Sequence, residues 1–152
     1  VIYLDRWPLA NVWLGVSAED QKRADERVPD LLATPAAVRF VSAEPLLGAI
    51  DFNEIIPNPI AWNFKHGFDG LNWIIVGGES GRNARPMQIA WARSIRDQCA
   101  GAGVGFFFKQ FGEFAPDDNA PGAHTAMRRV GKAIAGRVLD GRTHDAMPSR
   151  SA

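Results

Sequence analysis

A single cysteine, Cys99, carries all the thiol chemistry in 152 residues. One thiol builds no internal disulfide framework and no cysteine cluster able to hold zinc or iron–sulfur by itself, so a reducing cytoplasm is the expected compartment. Net charge is missing as well: 17 Lys+Arg stand against 17 Asp+Glu. No global field therefore draws the chain towards nucleic acid or an anionic membrane. No apolar run approaches the roughly twenty residues that span a bilayer, and no charged-then-apolar leader opens the chain. The phosphate-cradling G-x-x-x-x-G-K-S/T is absent, and no G-x-G-x-x-G follows a strand. Nor is there a G-x-S-x-G nucleophile elbow. His66, His124 and His144 are scattered without metal-ligand spacing, and no C-x-x-C occurs. The first residue is Val1, not Met, so a fragment or a processed chain is expected.

The composition, 46% hydrophobic and 22% charged, suffices for one globular core. Its apolar residues fall in short runs: VWLGVS (Val12 to Ser17), VRFVSAEP (Val38 to Pro45), WIIVGGES (Trp73 to Ser80) and VGFFFKQF (Val104 to Phe111). Their bodies are apolar on consecutive positions, which predicts strands covered on both faces of a parallel sheet. Starts roughly 25 to 35 residues apart suit βαβ units. After the first run, Ala24, Val28, Leu31 and Leu32 make one helical stripe, with Pro29 expected to kink the helix or divide it in two. After the third, Pro86 to Ala102 reads as a helix with Pro86 in its first turn, a buried stripe of Ile89, Ala92, Ile95 and Cys99, and Gly101 and Gly103 at its end. The connection between the second and third runs, with Pro57, Pro59 and Gly67, is expected to be irregular. Gly112 to Met127 reads as a loop, and RRVGKAIAGRVLDGR as two short strands paired in a hairpin.

In parallel α/β folds the functional face lies at the carboxyl ends of the strands. Here those ends deliver Ser17 and Glu19, then Ser42 and Glu44, then Gly77, Gly78, Glu79 and Ser80, then Lys109 and Gln110. If the strands are neighbours these groups share a rim, and three carboxylates with one ammonium are costly to cluster without a ligand or compensating hydrogen bonds. Plainer roles exist beside each. Ser17 with Asp20 resembles a capping box. Glu19 complements a helix dipole. Gly77 and Gly78 suit a turn as well as a ligand's approach to the backbone. Lys109, after three phenylalanines, can snorkel from an apolar wall. Glu44 before Pro45, a carboxylate held in extended backbone at a strand end, points to function.

The segments NVWLGVSAEDQ, VRFVSAEPLLG, LNWIIVGGESG, VGFFFKQFGE and GKAIAGRVLDGR, in this order, resemble the C-terminal half of a family of uncharacterised bacteriophage and bacterial proteins named after phage gene products thirty-seven and sixty-eight. That family is similar to radical S-adenosylmethionine enzymes, and its full-length members carry a three-cysteine motif for a 4Fe–4S cluster. The resemblance implies an α/β fold: residues 1–111 as the second half of a parallel-stranded partial (β/α) barrel, and 112–152 as a loop, short β-hairpin and tail packed on it. It implies Ser17, Glu44, Gly77, Gly78 and Glu79 in contact with the cofactor, and Glu44 and Lys109 in the chemistry on an unknown substrate. S-adenosylmethionine and the cluster belong to the full-length family, and neither is expected to bind tightly to this chain. The first strand, left as a sheet edge, should be covered by the missing N-terminal half or by a partner chain.

Three functions follow as expectations. One is the C-terminal part of a radical-SAM-like enzyme, inactive alone. Another is a non-catalytic ligand- or partner-binding module. The third is a divalent-metal hydrolase built on Glu19, Glu44 and Glu79.

Overall fold

The structure, a computed structural model, describes residues 7–57, 66–117 and 126–148. Four strands, β1 (Trp13–Ser17), β2 (Val38–Ala43), β3 (Trp73–Gly77) and β4 (Gly105–Gln110), form one parallel sheet in chain order. The expected α/β architecture is therefore present, as an open sheet with β1 and β4 at its edges. The register aligns Val16, Val41, Ile74 and Phe106 across the strands, followed by Ala43, Val76 and Phe108 one pleat further on. These positions face the helices and, Val16 apart, are buried.

Helix α1 (Gln21–Ala33) lies on β1 and β2 and α2 (Ile89–Ala102) on β3 and β4. Both bury the stripes read from the sequence: Ala24, Val28, Leu31 and Leu32 in α1, Ile89, Ala92, Ile95 and Cys99 in α2. Asp20 caps α1 by accepting the Arg23 N–H at 2.9 Å. Ser17 belongs to β1 and is no part of that cap. Pro29 does not divide the helix, which runs unbroken through it. One missing N–H is outweighed by a buried stripe that spans the proline on both sides.

Helix α2 starts at Ile89, not at Pro86. The Glu79 carboxylate accepts the Arg85 N–H at 2.8 Å, and Met87 is fully buried, so the residues just before α2 are committed to other partners. Gly103 closes the helix at φ 69°, where only glycine is unstrained.

The sheet's other face corrects the expectation of two equally covered faces. It carries Trp13, Phe40, Trp73 and Phe107, all half-buried. They form a continuous aromatic layer, with Trp73 6.2 Å from Trp13, 6.0 Å from Phe40 and 5.8 Å from Phe107. The Phe40 ring occupies the space a side chain on Gly15 would need. The C-terminal segment crosses one margin of this layer, where the Trp73 indole donates to the Ala146 carbonyl at 2.7 Å. The same segment closes the outer edge of β4 through a bridge between Phe107 and Asp145 and a bond from the Phe108 N–H to the His144 carbonyl. The free edge of β1 has no strand partner among the described residues.

The hairpin exists, but from other residues than expected: β5 (Phe114–Pro116) pairs antiparallel with β6 (Met127–Arg129). One strand thus lies in the segment read as a loop, while Lys132–Ala135 turns into a short helix, α3. Glu113 explains the switch, since its carbonyl accepts both the Val130 and Gly131 N–H and bends the chain after β6. Downstream, Asp140 sits at φ 52° and binds Arg93 and Arg96 of α2, which hold its carboxyl at about 2. The described residues of the connection after β2, 44–57 and 66–72, are irregular apart from a 3₁₀ turn at Phe52–Glu54, and Pro59 lies outside them. Among those residues no helix is long and apolar enough to cross a membrane.

Candidate functional site

Because the strands are parallel and in register, their carboxyl ends open on one rim. Ala43 ends β2, and the next residue, Glu44, turns its carboxylate across β3. A side chain on Gly77 would lie 2.1 Å from Glu44 Oε1. A larger residue at Gly77 would therefore displace the Glu44 carboxylate from where it lies. Glu44 Oε2 accepts from Ser42 Oγ at 3.2 Å and pairs with Lys109 Nζ at 3.2 Å. The carboxylate is only 17% exposed, against 54% for the lysine. A largely covered carboxylate is thus paired with an ammonium group that solvent or a ligand can reach.

These groups border a cleft of ≈ 320 Å³ lined by Glu44, Pro45, Gly78, Glu79, Ser80, Lys109, Gln110 and Lys132. Gly78 forms its floor at a close crossing of two backbones. Its N–H donates to the Gln110 carbonyl at 2.9 Å, and a side chain there would sit 1.9 Å from the Phe111 carbonyl oxygen. Gly112, at φ 83°, meets Glu79 from the other side. The β3–β4 register slips between Val76 and Gly77, which brings Gln110 opposite Gly77. Gln110 then reaches Ser80 Oγ at 3.1 Å.

Glu79 lines the cleft but spends its charge elsewhere. Arg85 donates its Nε and Nη2 to the carboxylate, each at 2.9 Å, besides its backbone N–H. The Arg85 guanidinium first, and its N–H second, hold the Glu79 carboxyl down at about 2 instead of 4.5. A carboxyl depressed on folding contributes stability that is present above its unfolded value near 4.5 and is lost as pH falls through about 2. An NMR pH titration should show the Glu79 midpoint near 2, and Arg85→Ala should return it towards 4.5. A midpoint unmoved by that substitution would sink this account of the pair.

The remaining sequence candidates lie apart. Ser17 is exposed, one strand beyond Ser42 in the register, and its carbonyl accepts from Arg27 at 2.8 Å. It is not among the residues that line the cleft. Glu19 pairs with the same Arg27 at 3.3 Å. Each of the three carboxylates proposed for a metal therefore has its own cation, and among the described residues no group of three His, Cys, Asp or Glu could hold a metal ion. Cys99 is fully buried on α2, and burial pushes its thiol up to about 12, which disfavours the thiolate that ligation or nucleophilic attack requires.

Two side chains at the rim were not foreseen. Lys132 reaches it from α3, and Arg137 follows directly after that helix. Their only sequence signal was a pair of cations flanked by glycines, which reads equally as hairpin surface.

Residues 2–148 match the model of the family described as "Protein of unknown function (DUF5131)", and the chain belongs to that family. No curated protein and no solved structure matches it.

Proposed function

We propose that this member of the DUF5131 family supplies the later-strand wall of a radical-SAM-like enzyme, as the resemblance to the phage gene-product family implies. The observation that carries the reading is the Glu44–Lys109 pair. A carboxylate from just after β2 and an ammonium from β4 meet across β3 at the carboxyl rim of a parallel sheet, beside an open cleft. That is where α/β enzymes place ligands.

The donor set bears differently on the two groups such an enzyme uses. A 4Fe–4S cluster needs several thiolates, and the one thiol here is buried and protonated. These residues do not fit it, and its ligands must come from other polypeptide, in cis or as a partner. Such polypeptide would also cover the β1 edge and the aromatic face. An amino-acid zwitterion such as the methionyl end of S-adenosylmethionine does suit the rim, with Glu44 facing its ammonium and Lys109 its carboxylate. When bound, that group supplies the radical precursor. Glu44 and Lys109 orient it and the substrate, Ser42 steadies the Glu44 carboxylate, and Gly77 and Gly78 leave room for Glu44 and for the Phe111 carbonyl. Ser17, whose backbone carbonyl accepts from Arg27, and Glu79, whose carboxylate is paired with Arg85, stand at the margin of such a site.

Joining this chain to a polypeptide that bears the three-cysteine motif should give a brown, four-iron protein on anaerobic reconstitution. The chain alone should take up no cluster. Glu44→Gln should then weaken S-adenosylmethionine binding by roughly tenfold, as loss of one charge-assisted contact implies. Four irons in the chain alone, or none in the joined protein, would overturn the reading.

A further inference from the structure

A second opening adjoins the Glu44 cleft and shares Lys109, Gln110 and Lys132 with it. It measures ≈ 450 Å³ and is lined by Lys109, Gln110, Lys132, Ala133, Gly136 and Arg137. Three cations and no carboxylate border it. Two of them are compensated from outside the pocket, Lys109 by Glu44 and Arg137 by Asp145. The side chain of Lys132 has no ion pair or hydrogen bond among the described residues.

Arg137 is oriented before any ligand arrives. Its guanidinium lies over the Phe107 ring, 5.1 Å from the centroid, and one of its terminal nitrogens bonds Asp145. Its Nε is buried and has no acceptor among the described residues. A planar guanidinium held in place beside two ammonium groups describes a seat for an oxyanion with several acceptor oxygens.

We propose that this pocket binds the phosphate of a small phosphorylated molecule, with Lys109 and Lys132 as point charges and Arg137 as the planar donor. Its size is that of a small-molecule site, roughly 300–1,000 Å³, and a net charge of zero gives no extended field for a nucleic-acid backbone. The proposal shares Lys109 with the radical-SAM reading but uses neither iron nor S-adenosylmethionine, so its test fails or succeeds separately from that reading.

The test measures binding of inorganic phosphate, adenosine monophosphate, adenosine and a single-stranded oligonucleotide to this chain without any cluster, by calorimetry at fixed salt. Phosphate and the monophosphate should bind, and adenosine should bind at least tenfold more weakly than the monophosphate. Lys132→Ala, at an exposed position on α3, should keep the melting temperature and lose about tenfold in monophosphate affinity. Lys132→Arg should retain it. Four results would overturn the proposal: equal binding of adenosine and the monophosphate, no binding of either phosphate probe, an unchanged affinity in Lys132→Ala, or tighter binding of the oligonucleotide than of the monophosphate.

Discussion

Phe108→Ala is expected to remove about 3–5 kcal/mol of unfolding free energy. Phe108 is fully buried on the helix side of β4, level with Val76, and its ring meets Phe111 edge-on at 4.8 Å. Truncation leaves a cavity between β4 and α2 that neither can collapse into, because both are held from either side. The neighbouring Phe107→Ala should cost much less, about 1–2 kcal/mol. Phe107 points to the half-covered face, where it loses only its contacts with Trp73 and Arg137. Urea unfolding of the two variants measures the difference directly. Equal losses would mean that both faces of the sheet are buried alike, as the consecutive apolar residues of FFF suggest when read alone.

Gly78→Ala should be destabilising at or beyond the upper end of the roughly 1–3 kcal/mol range typical of overpacking. The new methyl group would meet the Phe111 carbonyl, and that atom cannot rotate away like the end of a side chain. Relief requires the two backbones to part, which breaks the Gly78 N–H bond to the Gln110 carbonyl and moves Lys109 with it. Ligand binding at the rim should therefore fall together with stability. Gly101→Ala provides the contrast. It lies in α2 with nothing within 4 Å of the added carbon, and alanine there should stabilise by up to about 1 kcal/mol. Melting temperatures that move the same way in both variants would contradict the crossing at Gly78.

What the sequence determined by itself is the order and direction of the sheet. Four apolar runs, spaced for crossover connections, have little choice but to pair in parallel, and the helix stripes at Ala24–Leu32 and Ile89–Cys99 fix which side the helices cover. The burial of Cys99 was legible for the same reason: it falls on an apolar helical stripe, and periodicity reports burial. Strand-end chemistry was legible as a list, since the carboxyl end of each run carries polar residues whatever they do. The partners within that list were not. Glu44 and Lys109 are 65 residues apart, and only the sheet's register brings one across Gly77 to the other. Glu79, equally prominent in the sequence, is drawn off by Arg85 six residues away, a choice made by the loop's path and invisible to spacing rules. The division expected at Pro29, the helix start at Pro86 and the hairpin's strands were misread where a local signal competed with tertiary contacts: a packed stripe carries α1 through its proline, Glu79 and Met87 delay α2, and β6 pairs with β5. Local propensities amount to a few tenths to a few kcal/mol per residue, whereas packing against a formed sheet acts on the whole element at once. That cooperativity is why the architecture could be read from the chain, while the pairings at the rim, with Lys132 and Arg137 among them, exist only once it has folded.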